Sequence, residues 1–502
     1  MFEAPFPPYD PTDKTSYVTV LKRWPVILTQ IIDTIYHADH DLGISLASIE
    51  SAAEKSKVEE KIEEGKAIIS KISQVKYEMA RNRPLEPIPA DGEAMVEMYN
   101  EELARLAAKE RNTWFTAPWL YAECYLYRLI RSFFVQSTHW RTFDPFATQK
   151  ETTFKSSGKA IYQLARTMHE LEVDKSEFDK DPAKLGVLFG EMIQMCLWGN
   201  ATDLSMLTHL SHDDIAHLQT VGRDAQAERR KFILKDDQDQ VWQHIQSLEG
   251  KDARIDFVLD NSGFEVLSDP HYALTQLLIA VSAIHRLHFA DFLVTFTPYA
   301  SKVVFHPKLI PWFVSDVTPT DFTNSITSLL SDAFFPPPSA SIPSEAAAPG
   351  TEPSTSIAVE PPSRPEEHEY LRRMVSRWKS YIDHGVFALS VPSDTPLGGS
   401  NPKADFWTSP WPYWDMKERT PEIFKNLSKS GLVILKGDLN IVGLKASASP
   451  LAGAFPILSL RTNKADVAVA VDQAVADALD KQGVQWRTDG KYALVLFAPK
   501  SA

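Results

Sequence analysis

The sequence predicts an α/β protein in which a helical N-terminal part precedes a mostly parallel sheet covered by helices on both faces. Three observations predict this. Residues 1–210 place apolar side chains at helical spacing and show no strand-like alternation. After that the texture changes to short, continuous Val/Ile/Leu/Phe runs separated by helical patterns, which is how strands buried on both faces read. The runs also stop abruptly at polar residues, and open α/β sheets take ligands beyond the carboxyl ends of their strands.

Taken in order, residues 45–80 put Val58, Ile62, Ile69 and Ile72 at helical spacing among dense Lys and Glu. That is an amphipathic helix with i,i+4 charge pairs on its wet face. Further helices are expected at 92–111, 118–134, 157–172 and 181–197, and helical patterns continue through 212–249. The strand-like runs are RIDFVLDN (254–261), KVVFH (302–306), GLVILKGD (431–438), FPILSL (455–460) and YALVLFAP (492–499). Residues 335–366 are rich in Pro, Ser, Ala and Glu and carry almost no large apolar side chain, so a disordered insertion is expected there. A helix resumes in EYLRRMVSRWKSYIDHGVF, from Tyr370 onward. The expected organisation is a helical domain at 1–210, an α/β domain at 211–334 and 367–502, and the insertion between its two parts.

The chain has 502 residues, 66 of them acidic against 52 basic, for a net charge of −14. Such a surface repels nucleic acid and anionic membranes, so neither is expected as a partner. The longest apolar run, at 274–284, is too short to span a bilayer. The N-terminus is acidic and proline-rich and lacks the pattern of a signal peptide. Two cysteines, Cys124 and Cys196, sit in apolar stretches; two buried free thiols is the simpler expectation, with one disulfide as the alternative. A cytoplasmic protein is expected, with the nucleus as a second location.

Several segments carry chemistry. Asp260-Asn261-Ser262-Gly263 ends a strand with a carboxylate and a carboxamide side by side, two hard oxygen ligands for Mg²⁺ or Mn²⁺. The same four residues also read as an ordinary turn. IPWFVSD (310–316) ends in Asp316, either a third ligand to the same ion or an N-cap for the next helix. LVILKGDLN (432–440) finishes in Lys-Gly-Asp, where glycine lets backbone approach a ligand and Asp438 and Asn440 are placed to bind it. In LRTNKADV, Arg461 and Lys464 stand at what reads as a helix start. Cations there oppose the helix dipole and fit phosphate better than helix stabilisation. Asn200 and Asp203 read as a helix end and a capped helix start, or as pocket-lining residues. The stretch 114–129, with Trp114, Trp119 and three tyrosines, reads as core holding a buried Glu123 or Arg128 pair. The histidines show no metal spacing. There is no GxSxG, P-loop or GxGxxG, which disfavours a serine hydrolase, an NTPase and a dehydrogenase.

At these motifs the chain resembles the DUF89 damage-control phosphatases, specifically the subfamily marked by an Arg-Thr-x-Lys motif. The resemblance runs from KRWPVILTQIID through TWFTAPWLYAECYLYR and LWGNATDLS to DNSGFE, IPWFVSDVTPTDF, LVILKGDLN and LRTNKADV. It implies a three-layer α/β/α sheet of Rossmann-like type with a helical N-terminal part. It further implies Asp260, Asn261 and Asp316 as catalytic metal ligands and Asp438, Asn440 and Lys464 as binders of a small phosphorylated metabolite. The implied activity is hydrolysis of sugar phosphates such as fructose 1-phosphate and fructose 6-phosphate, dependent on Mn²⁺, Co²⁺, Ni²⁺ or Mg²⁺. Subfamily members have also been described as acidic-residue methyltransferases, and Glu265 matches the position assigned there to S-adenosylmethionine.

Two stretches depart from the family pattern. Residues 270–289 (PHYALTQLLIAVSAIHRLHF) intervene before an Ala-Asp-Phe-Leu helix and are expected to interrupt it. After Asn440, the expected Tyr-Arg pair is replaced by IVGLKASASPLAGAF, which removes an arginine suited to bidentate phosphate binding. A carboxyl methyltransferase and a catalytically impaired binding protein are therefore the competing expectations.

Overall fold

The computed structural model describes residues 19–178, 181–198, 230–259, 281–332, 365–411, 413–437, 454–463, 470–484, 486–487 and 491–501. Residues 335–364 of the expected insertion, residues 212–229 of the expected helical stretch and residues 270–280 of the family departure lie outside them; the last two residues assigned to the insertion, 365 and 366, instead open the helix Pro365–Asp383.

The N-terminal helices form where they are expected: Ala52–Ala80, Val96–Ala107, Trp119–Val135, Gly158–Val173 and Pro182–Trp198. Before them, Trp24–Ser45 opens with proline at its first turn, where a missing N–H costs nothing. It runs antiparallel to Ala52–Ala80, with Lys76 Nζ 2.6 Å from Thr29 Oγ1. The buried stripe of Ala52–Ala80 is Gly65, Ile68, Ile72, Val75 and Met79. Of the four residues read from the sequence only Ile72 is buried, while Val58, Ile62 and Ile69 are half-buried. The contact region lies one to two turns further along the helix than its apolar pattern indicates, because Gly65 admits close approach of the neighbouring helix.

Trp119–Val135 is the centre of this region, with every residue from Leu120 to Val135 buried. Its charges are paired at separate places, not with each other. Glu123 faces Arg23 at 3.2 Å. Arg128 donates two 2.8 Å hydrogen bonds to Asp91, and Arg131 pairs with Glu93. Such buried charges are tolerated because each is partnered. Cys124 and Cys196 are both free and buried.

The sheet has seven strands in the order β1-β7-β6-β5-β2-β3-β4. They are β1 (Ile233–Asp236), β2 (Arg254–Val258), β3 (Lys302–His306), β4 (Phe387–Leu389), β5 (Leu432–Lys436), β6 (Ile457–Thr462) and β7 (Ala493–Ala498). The block β6-β5-β2-β3-β4 is parallel throughout. β7 runs antiparallel to β6, and β1 is parallel to β7. Two strands escape the sequence reading. β1 lies inside the expected helical stretch 212–249, and β4 follows directly on the helix Pro365–Asp383. Both are short edge strands of three or four residues, too brief to show a period of two.

The architecture is a three-layer α/β/α sandwich beside a helical region. On one face Ile255, Phe257, Val303, Phe305, Ile434 and Leu458 pack against the helices Gly158–Val173, Pro182–Trp198, Val281–Thr295 and Pro365–Asp383. On the other, Val258, Val433, Leu435 and Ile457 meet Phe406, Trp407, Met416, Ile423 and Leu427. Strand alternation divides these residues between the faces. No helix among the described residues is long and apolar enough to cross a membrane.

The Ala-Asp-Phe-Leu segment is not interrupted within the described residues. Val281–Thr295 is one continuous helix, and Ile284, Leu287 and Phe289 are as buried as Ala290 and Phe292 beyond them. The second half of the family departure therefore supplies helix and core.

Candidate functional site

β2 lies in the middle of the parallel block, with β3 and β4 on one side and β5 and β6 on the other. The chain leaves β2 for β3 and returns across it to β5, so the direction of winding reverses between β2 and β5. In such folds ligands usually sit at this reversal, outside the carboxyl ends of the strands.

Register is kept to the last described residue at this edge. The Leu259 N–H donates to the His306 carbonyl at 2.9 Å, and the Gly437 N–H to the Leu460 carbonyl at 3.0 Å. Gly437 has φ of 129°, a conformation open to glycine and strained for other residues. Asp260 and Asn261 follow Leu259 directly, and Asp438 follows Gly437. Asp260, Asn261, Glu265, Asp438, Asn440 and Lys464 themselves lie outside the described residues, as do Asn200 and Asp203.

Asp316 is described and fully buried. It sits in the loop between the helix Pro319–Leu330 and β3, the strand that pairs with β2. It is not that helix's N-cap. Thr318 takes that role, in a capping box with Asp321. The carboxylate is thus spared the capping duty that would compete with ligand binding. Lys308 Nζ lies 3.6 Å from Asp316 Oδ2, and the Lys308 N–H donates to the Val317 carbonyl at 3.0 Å, closing the loop at its base. Within the loop, Phe313 and Val314 both have positive φ, 42° and 69°. A β-branched residue there is held against its own preference, as happens where surrounding structure over-determines the backbone. The holding comes from the helical region. Trp312 and Phe313 stand 5.8 and 5.1 Å from the Tyr127 ring and belong to the same apolar core as Trp24 and Phe146.

Arg461 departs from expectation. It lies within β6 and is fully buried, while the next helix among the described residues begins at Gln473 with Asp472 as its cap. The helix-dipole argument therefore does not apply to it: the run LSLRT extends the strand through Thr462, two residues beyond the apolar stretch.

One polar cluster was missed in the sequence. Asp256, in the middle of β2, accepts a 2.8 Å contact from His306 Nε2 and a 2.7 Å hydrogen bond from Arg254 Nε. Burial alone would push its carboxyl up, but the hydrogen bond and charge of His306, with Arg254, hold it below the usual carboxylate range. Its signal was available as a charged residue inside an apolar strand. Trp407 stands edge-on to His306 at 5.7 Å and also covers Lys308 Nζ at 5.9 Å.

Other groups are disqualified from chemistry. Burial pushes the Cys124 thiol well up and that of Cys196 up to about 11, so neither supplies thiolate at neutral pH. Burial pushes His285 far down and His288 down to about 4. Among the described residues no group of three or more His, Cys, Asp or Glu could hold a metal ion. Asp316 is the described member of the expected set, and two carboxylates with one carboxamide are hard oxygen donors suited to Mn²⁺ or Mg²⁺. A fully buried carboxylate at this edge of the sheet fits such a site.

Comparison with known proteins identifies the family. The damage-control phosphatase ARMT1-like domain matches residues 19–479. The chain is 29% identical to the damage-control phosphatase ARMT1 of Danio rerio over 504 residues, covering 96% of this chain and 94% of that protein. The Xenopus laevis protein of the same name is 28% identical over 96% of this chain and 95% of its own length. The Homo sapiens protein is 26% identical over 95% of each. This end-to-end match shows that the chain belongs to the damage-control phosphatase ARMT1-like domain family.

Proposed function

We propose that this chain is a metal-dependent phosphatase acting on small phosphorylated metabolites, with sugar phosphates such as fructose 1-phosphate and fructose 6-phosphate as substrates. The observation that carries the reading is the burial of Asp316 in the loop beside the sheet's reversal point, in a chain that matches damage-control phosphatases along nearly its whole length. Asp260, Asn261 and Asp316 are the proposed ligands for Mn²⁺, with Co²⁺, Ni²⁺ or Mg²⁺ as substitutes. When bound, such an ion polarises a phosphoryl oxygen, neutralises charge and lowers the pKa of a coordinated water.

The chain's own residues do the rest. Asp438 and Asn440 bind substrate hydroxyls, and Lys464 places a positive charge on the phosphoryl group as charge builds there. The loop carrying Asp316 is fixed at its base and by its aromatic anchor, so the carboxylate would hold the ion with little reorganisation. The net charge of −14 gives no general attraction for phosphate, which leaves recognition to these local groups.

The test is phosphate release from fructose 1-phosphate by purified protein with Mn²⁺, beside Asp316→Ala and Asp260→Ala. Metal-dependent release lost in both variants supports the reading. Absence of release from a folded wild-type chain rejects it. Methyl transfer from S-adenosylmethionine that survives chelation would support the methyltransferase instead, with Glu265 as its candidate ligand.

A further inference from the structure

We infer that Lys308 is a positioning residue for Asp316: its ammonium, paired with Oδ2, holds the carboxylate in the orientation in which it serves a divalent ion. The inference deepens the phosphatase reading and rests on it.

Three features support the assignment. Lys308 Nζ and Asp316 Oδ2 are 3.6 Å apart, with the side chains 2% and 0% exposed. In that setting an ion pair is poorly screened by water, so each partner strongly constrains the other. The ammonium is also walled in. Trp407, itself 3% exposed, lies over it at 5.9 Å, a cation–π distance that discourages the lysine from turning elsewhere. The two residues stand at opposite ends of a loop whose backbone is closed by the Lys308 N–H on the Val317 carbonyl. The Gly398 N–H donates to the Leu309 carbonyl at 2.7 Å and pins the loop from outside. Backbone and side chain therefore fix the same carboxylate from two directions. Residues that orient a metal ligand in this way commonly change metal affinity by about 10–100-fold when removed.

The experiment is Mn²⁺ binding to the purified full-length chain without substrate, read from the aqueous Mn²⁺ signal in electron paramagnetic resonance. Wild type, Lys308→Met, Lys308→Gln and Lys308→Arg are compared, with circular dichroism as the check on folding. The expected result is binding weakened by about tenfold or more in Lys308→Met, with Lys308→Arg closer to wild type. With fructose 1-phosphate, kcat falls while KM moves little. If Lys308→Met does not fold, Lys308→Gln carries the same measurement with a shorter, uncharged polar side chain. Wild-type Mn²⁺ affinity and kcat in a folded uncharged variant overturn the inference and leave the phosphatase reading intact. Unchanged Mn²⁺ binding with KM raised alone also overturns it, because Lys308 would then be touching substrate. A wild-type chain that neither binds Mn²⁺ nor releases phosphate overturns both.

Discussion

Asp291 concentrates more hydrogen bonds than any other carboxylate described here, and its removal gives a sharp test of what holds the sheet-covering helices together. It is fully buried on Val281–Thr295. It accepts from Arg377 Nε at 2.9 Å and Nη2 at 2.7 Å, from the Trp378 indole at 2.7 Å and from the Thr295 hydroxyl at 2.6 Å. Arg377 also reaches Glu172 at 2.7 Å, so one network joins three helices. Asp291→Ala leaves a buried guanidinium and an indole N–H short of an acceptor. Breaking a buried pair from one side costs about 3–5 kcal/mol. Arg377→Met should cost somewhat less, about 2–4 kcal/mol, since Asp291 keeps Trp378 and Thr295. The double variant strands neither charge inside and should resemble the worse single variant, a coupling equal to the smaller single cost, about 2–4 kcal/mol. Urea titration gives these values, and hydrogen-exchange protection of amides in β2 and β3 localises the loss to the sheet. Single-variant effects that add to within about 0.5 kcal/mol would refute the reasoning.

Two further outcomes are expected. Burial against the neighbouring helix pushes the Asp39 carboxyl up to about 6, only partly offset by Lys66 and Lys61. The folded chain therefore holds a proton that the unfolded chain releases near 3.8, and this contribution to stability grows as pH falls from above 6 toward 4. Asp39→Asn should raise the thermal midpoint at pH 8, with the gain gone near pH 4, and an equal gain at both would contradict it. Trp312→Ala empties a nearly closed site, 1% exposed, and should cost about 3–5 kcal/mol by chemical denaturation. It should also lower phosphate release, because Asp316 shares the loop; full activity in a folded variant would separate the anchor from the carboxylate.

The fold was legible wherever a residue's environment follows from its neighbours in sequence. β2, β3, β5, β6 and β7 are continuous apolar runs, and the expected helices from residue 92 to 198 end within a few residues of the observed ones. β1 and β4 are too short for any period to show. Arg461 was placed by a local pattern that the strand overrode, since pairing with Leu494 on β7 carries β6 past its apolar core. Asp316 was legible as a polar end to an aromatic segment. Its partner was not, because Lys308 is eight positions away and the two meet only when the loop closes. The same holds for Asp256 and His306, which are brought together across neighbouring strands.

The aromatic wedge of Trp312 and Phe313 has a consequence for the order in which the molecule matures. Its receiving surface is built entirely from residues before 147, all synthesised well ahead of the loop itself. The segment bearing Asp316 can therefore dock onto a finished template as it emerges, and the sheet need not define that backbone unaided. The helical region acts as a scaffold that shapes a loop it does not covalently adjoin. A shortened chain beginning at β1 would retain every strand and yet leave this loop without its mould.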